Sequence, residues 1–162
     1  MSRSGYVDDL VDSWQHIRWR GAVTAALRGA RGYAFLNEML AALDALPSRE
    51  LVAGELEKGG AVCALGAVGK ARGLEMDDLD PEDSARVASV FGIADALARE
   101  IVFLNDEGAW EETPAQRFNR MREWLKAEIW NVRGCVADPY GTEARRMSRR
   151  IHWNSVIEWN EV

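Results

Sequence analysis

A chain of 162 residues, 48% hydrophobic and 28% charged, is long enough for one domain with a proper core and too apolar to be disordered. No run approaches the ~18 apolar residues that span a bilayer. Met1 to Asp12 is polar and acidic with no apolar signal region, so the expected compartment is the cytoplasm.

The first predicted helix runs from Asp8 to Ala30. Leu10, Trp14, Ile17 and Gly21 recur at spacings of three and four, with Trp19, Val23, Ala26 and Ala30 on an adjacent face. A break over Gly29 to Gly32 leads into a second helix, Tyr33 to Leu46, whose Leu36, Met39, Leu40, Leu43 and Leu46 make a regular apolar face. Two amphipathic helices joined by a short glycine-containing turn suggest an antiparallel pair. From Glu50 the pattern shortens. Leu51-Val52-Ala53 and Ala61-Val62-Cys63 flank Glu57-Lys58-Gly59-Gly60, and a Gly-Gly pair between short apolar runs signals a β-hairpin.

The chain then changes character at Val62 to Lys70. Ala64, Gly66, Ala67 and Gly69 leave almost no bulk on one side, so a neighbouring backbone can approach closely; glycine costs helix stability unless such packing compensates. Cys63 stands at the start of this helix, where unpaired backbone N–H groups favour a thiolate. The competing reading is a small buried hydrophobe.

Six acids follow in Glu75 to Asp83. A calcium loop fails on spacing, since Asp83 stands where the sharp-turn glycine belongs and Ser89 where the bidentate glutamate belongs. Asp80 as N-cap with Pro81 at the first helical position explains the segment better. Short helices are predicted up to Gly92 and from Ile93 to Leu104, then a turn at Asn105-Asp106-Glu107-Gly108. Thr113-Pro114-Ala115-Gln116 is a capping box, opening a helix with Phe118, Met121, Leu125, Ile129 and Val132 that stops at Gly134. Thr142 starts a last helix with Ala144, Met147 and Ile151.

These elements predict a mainly α fold: a compact single-domain helical bundle with a small two-stranded β-hairpin. Residues 1–134 form the helical core, with the hairpin near 50–63, and 135–162 form a C-terminal extension that packs on the core or makes an interface.

Chemical motifs are sparse. Gly69-Lys70-Ala71 lacks the Ser or Thr of a phosphate loop, Gly66, Gly69 and Gly73 do not match GxGxxG, and no GxSxG occurs. His16 and His152 are the only histidines, and Cys63 and Cys135 form no CxxC pair, so neither a zinc donor set nor a disulfide framework is present. No metal and no cofactor are expected. A nucleophilic Cys63 would need a histidine as base, His16 being the candidate, and Asp106 to orient it.

Cys63-Ala64-Leu65-Gly66-Ala67, then Asn105-Asp106-Glu107-Gly108, then a helix with Phe118, Met121 and Trp124, resembles a pattern in small phage, prophage and bacterial proteins. Those proteins carry a CALGA or CCLG-type motif, a later Asn-Asp turn and a closing helix with tryptophan. The resemblance spans roughly Trp14 to Ile129. It implies a helical fold, a phage or mobile-element setting, and a meeting in space of Cys63, Asn105 and Asp106; it assigns no catalytic residue.

Charge is segregated. Residues 50–112 hold 15 acids and 5 bases, a net −10, against +1 before and +3 after. Such an acidic flank favours basic partners and disfavours direct nucleic-acid binding. Arg145, Arg146, Arg149 and Arg150 make a basic patch that either pairs with the acidic middle or contacts a phosphate. Of seven tryptophans, Trp14 and Trp124 are expected in the core, and Trp153 and Trp159 at an interface or a homodimer contact. The expected partner-binding set is therefore Asp77, Asp78, Asp80, Arg145, Arg149, Trp153 and Trp159. The expected function is a non-enzymatic phage accessory protein that binds a basic host protein, an anti-CRISPR-like inhibitor being one form. The alternative is a small cysteine-dependent enzyme centred on Cys63.

Overall fold

The computed structural model describes residues 13–109 and 111–137. Within them the fold is mainly α with one small antiparallel hairpin. The elements run α1 (Ser13–Arg28), α2 (Ala30–Asp44), β1 (Glu57–Lys58), β2 (Ala61–Val62), α3 (Ala64–Arg72), α4 (Ser84–Phe91), α5 (Asp95–Asp106) and α6 (Pro114–Ala137). Helix α2 packs on both α3 and α6, α1 lies across α2 and α5, and α4 packs on α5. A single core unites them, centred on Leu36, Met39, Leu43, Leu65, Val68, Ile101, Met121 and Leu125.

The apolar face of α2 is the one its periodicity predicts, with Leu36, Met39 and Leu43 buried. Helix α1 differs from expectation. Its Trp14–Ile17 stripe faces solvent, with Trp14 67% and Ile17 58% exposed, while Val23 and Leu27 carry the core contact. Two faces of α1 compete, and the winner is the one whose small Ala26 admits α2. Trp14 is thus a surface residue, whereas Trp124 is partly buried against the core.

The break between α1 and α2 is also shorter than predicted. Gly29 alone leaves the helix, at φ −64° and ψ 147°, and Gly32 lies inside α2. A Cβ at Gly32 would run into the Ala26 carbonyl, so this glycine serves close approach, not a loop.

In the hairpin, Glu57 pairs with Val62 and Lys58 with Ala61. Gly59 and Gly60 both take positive φ, 59° and 84°, the requirement of a two-residue turn that follows strand twist. Leu51 to Ala53 forms no strand; Val52 N–H donates to the Val62 carbonyl at 3.0 Å and Leu51 N–H to the Pro114 carbonyl at 3.1 Å.

Three boundaries shift for local reasons. Asp83, not Asp80, caps α4, its Oδ1 accepting from Arg86 N–H at 2.9 Å, while Asp80 Oδ1 closes a turn by accepting from Glu82 N–H at 2.8 Å. Asn105 and Asp106 belong to α5 rather than a turn. Helix α6 begins with the predicted capping box, Thr113 N–H to Gln116 Oε1 at 2.9 Å and Gln116 N–H to Thr113 Oγ1 at 3.3 Å. It continues past Gly134 to Ala137, because a lone glycine costs a helix only ~1 kcal/mol.

Candidate functional site

Helix α3 has two crowded positions on its small-residue side. At Gly66 a Cβ would be driven into the Leu56 carbonyl oxygen, 2.9 Å from its carbon and 3.2 Å from Val62 Cβ. At Gly69 a Cβ would strike the Met76 thioether. One glycine therefore seats the hairpin approach and the other, one turn on, seats the start of the acidic loop. The Leu56 carbonyl is held in place by Cys63 N–H at 3.0 Å.

Next to this crossing, Cys63 caps α3. Its Sγ accepts from Gly66 N–H at 3.4 Å, and the residue is only 3% exposed. Asn105, also buried, reaches across from α5. Its Oδ1 accepts from Ala64 N–H at 3.1 Å, and its Nδ2 donates to the Val52 carbonyl at 2.8 Å and to Asp106 Oδ1 at 2.7 Å. One amide thus satisfies a helix-start N–H and a loop carbonyl at once, which is what a buried backbone demands. Cys63, Asn105 and Asp106 do meet in space, and the geometry is that of a structural pin.

His16 does not join them. It is exposed on α1, its ring edge against Trp19 at 5.4 Å. A thiol engaged with backbone in the core and an imidazole in solvent do not make a nucleophile–base pair. No group of three or more His, Cys, Asp or Glu among the described residues has metal-binding geometry.

The second candidate feature is a groove of about 400 Å³. Glu55, Leu56 and Glu57 form one wall, and Met76 to Pro81 the other. Leu56, Met76 and Leu79 are buried, while Glu57, Asp77, Asp78 and Asp80 are exposed. Of the lining carboxylates only Glu55 has an ion pair among the described residues, with Lys58 at 4.0 Å. Several arginines are engaged elsewhere: Arg72 with Glu38, Arg117 and Arg120 with Glu112, Arg122 with Asp44. Four of the five carboxylates that line the groove, Glu57, Asp77, Asp78 and Asp80, thus lie together without a cationic partner among the described residues.

Asp77, Asp78 and Asp80 line the groove, and Glu55 and Glu57 join them. Glu57 lies on β1 and Glu55 just before it; what the sequence lacked was the crossing that brings this segment beside the loop. Arg145, Arg149, Trp153 and Trp159 lie outside the described residues. No helix among those described is long and apolar enough to cross a membrane.

No family model matches this chain, and neither a curated protein nor a solved structure does.

Proposed function

We propose that this protein is a non-enzymatic accessory protein of phage or mobile-element type, which binds a basic surface of a host protein in the cytoplasm through the acidic groove. The observation that carries this reading is the convergence of Glu55, Glu57, Asp77, Asp78 and Asp80 on one groove with a single lysine for countercharge. Keeping like charges close is unfavourable, and a cationic partner turns that cost into attraction and steering. A surface built to hold nucleic acid is one such partner, so blocking a host defence complex is the concrete form. The mobile-element setting rests on the resemblance of Cys63 to Ala67 and Asn105 to Gly108 described above.

The test is affinity capture from host extract with the full chain as bait, in low and high salt. The triple variant Asp77→Asn, Asp78→Asn, Asp80→Asn and the pair Trp153→Ala, Trp159→Ala serve as comparisons. The expected result is a basic protein held at low salt, released at high salt and lost with the triple variant, whose melting temperature is unchanged or raised. The same capture by the triple variant would refute the groove as the binding surface. The cysteine-enzyme reading predicts the opposite of burial: rapid alkylation of Cys63 in the native protein. The structure leads us to expect modification only after unfolding.

A further inference from the structure

We propose that the outward face of α1 is the seat of this chain's own residues 151–162, an apolar and acidic segment matched to an apolar and basic helix face. Trp14, Ile17, Gly21, Ala25 and Arg28 recur three and four apart, so they form one stripe along α1. All five are exposed, and Arg18 is exposed beside them. The helix packs on α2, α5 and α6 through its opposite side, where Val23 and Leu27 are buried and Trp19 and Ala26 lie against the core. The bundle therefore leaves two bulky apolar side chains of the stripe in water, Trp14 at 67% and Ile17 at 58% exposure.

The charge on this face has one sign. Helix α1 contains no acid; Arg18 and Arg28 are exposed on it, and Arg31 is exposed just beyond. A second copy's α1 laid on the stripe would set like charges against each other, which is costly at an interface. An occupant that fits is apolar and acidic. Residues 151–162, which lie outside the described residues, hold Ile151, Trp153, Val156, Ile157 and Trp159 with Glu158 and Glu161, and no lysine or arginine. The stretch before them does not fit, since it carries Arg145, Arg146, Arg149 and Arg150.

Position and reach agree with charge. Helix α6 runs antiparallel to α2: Arg122 bonds Asp44 near the end of α2, and Arg133 Nε donates to Tyr33 Oη at 3.0 Å near its start. The end of α6 at Ala137 is thereby delivered to the side of the bundle where α1 turns into α2, the side on which Arg28 stands. Residues 138–150 can span about 45 Å when extended. Helix α1, with 16 residues, is about 24 Å long, so the segment that follows can be laid along the whole stripe. Such a cover would shield Trp14 and Ile17 from non-specific association. This inference does not depend on the acidic groove.

The experiment is hydrogen exchange read by mass spectrometry on the full chain at neutral pH, comparing peptides of 151–162 with those of α3 at low and high protein concentration. In the wild type the 151–162 amides should exchange on the order of tenfold or more below their intrinsic rate. Ile17→Asp, and separately the pair Arg18→Glu, Arg28→Glu, should abolish that protection. Helix α3 should stay as protected as in the wild type, because both changes fall at exposed positions. Adding Glu158→Arg and Glu161→Arg to the arginine pair should restore the protection. Unprotected 151–162 amides in the wild type, or protection that survives in either α1 variant, would overturn the proposal. Protection that rises with concentration alongside a dimer mass in light scattering would overturn it as well, because the occupant would then come from another copy.

Discussion

Gly66→Ala gives the sharpest test of the crossing on which the fold is built. In an open helix position this change stabilises by about 1 kcal/mol, because glycine is the poorer helix former. At Gly66 the new methyl meets the Leu56 carbonyl and Val62 Cβ. These are backbone and a hairpin side chain, and neither can rotate away. Relief requires the Leu56 segment to lift, which breaks the 3.0 Å bond from Cys63 N–H. Overpacking of this kind costs roughly 1–3 kcal/mol, and a buried N–H left unpaired about 1–3 more. After subtracting the propensity gain, the net loss is about 1–5 kcal/mol, a fall in melting temperature of about 2–20 °C for a chain of this size. Gly21→Ala in α1 is the control: a Cβ there meets nothing within 4 Å, so the variant should gain about 0.5–1 kcal/mol. Urea unfolding of both, followed by circular dichroism, reads the difference. A Gly66→Ala midpoint at or above wild type would refute the close approach.

Further outcomes follow from other residues. Asn105→Ala strips partners from Ala64 N–H and the Val52 carbonyl and should cost about 3 kcal/mol in urea unfolding; Asn105→Asp, which replaces the donor facing two acceptors with a third acceptor, should cost more at neutral pH. Thr113→Ala should lose about 1 kcal/mol by removing half of the capping box. Arg72 holds Glu38 through two bonds of 2.6 and 2.7 Å and donates to the Phe91 carbonyl at 3.0 Å. Its hydrogen bond holds the Glu38 carboxyl below the ordinary 4.5. That stabilisation is present above pH 4.5 and lost as pH falls through the depressed value. Arg72→Gln should therefore lower stability at neutral pH by about 1 kcal/mol, the pair being partly exposed, and flatten the acid limb of the stability–pH curve.

What the sequence made legible was whatever a short window contains. The Leu36–Leu43 face, the Gly59-Gly60 turn and the Thr113–Gln116 box are each specified by neighbours within a few residues, and each appears as read. Errors arose where two local solutions were equally good and packing chose between them. The two faces of α1 are both apolar enough to bury, and packing against α2 and α5 selects Val23 and Leu27 over Trp14 and Ile17. Asp80 and Asp83 are equally competent caps; tight turns at 76–79 and 80–83 carry the chain past the first before helix begins. The Asn105–Asp106 pair looks like a turn because its side chains compete with backbone, yet in α5 the Asn105 amide bonds Ala64 and Val52 of other segments, and Asp106 accepts from Asn105.

The groove and the crossing are one structure seen from two sides. Gly66 admits the Leu56 backbone, and Leu56 stands between Glu55 and Glu57, which form one wall. Gly69 admits Met76, whose neighbours Asp77 and Asp78 belong to the other wall. Two glycines three apart thus fix the separation of two acidic segments that are 20 residues apart in the chain, and they do so through backbone and a buried thioether, not through the carboxylates themselves. Apart from Asp80, which closes its own turn, and Glu55, which pairs with Lys58, the groove acids form no ion pair or side-chain hydrogen bond among the described residues that would hold the walls together. It follows that Gly69→Ala, where Met76 is a flexible side chain that can swing aside, should leave stability within about 1 kcal/mol of wild type while displacing the loop wall. A loss of binding in Gly69→Ala without a matching loss of stability would tie the crossing to the groove's role, whereas unchanged binding in a folded Gly69→Ala protein would separate them.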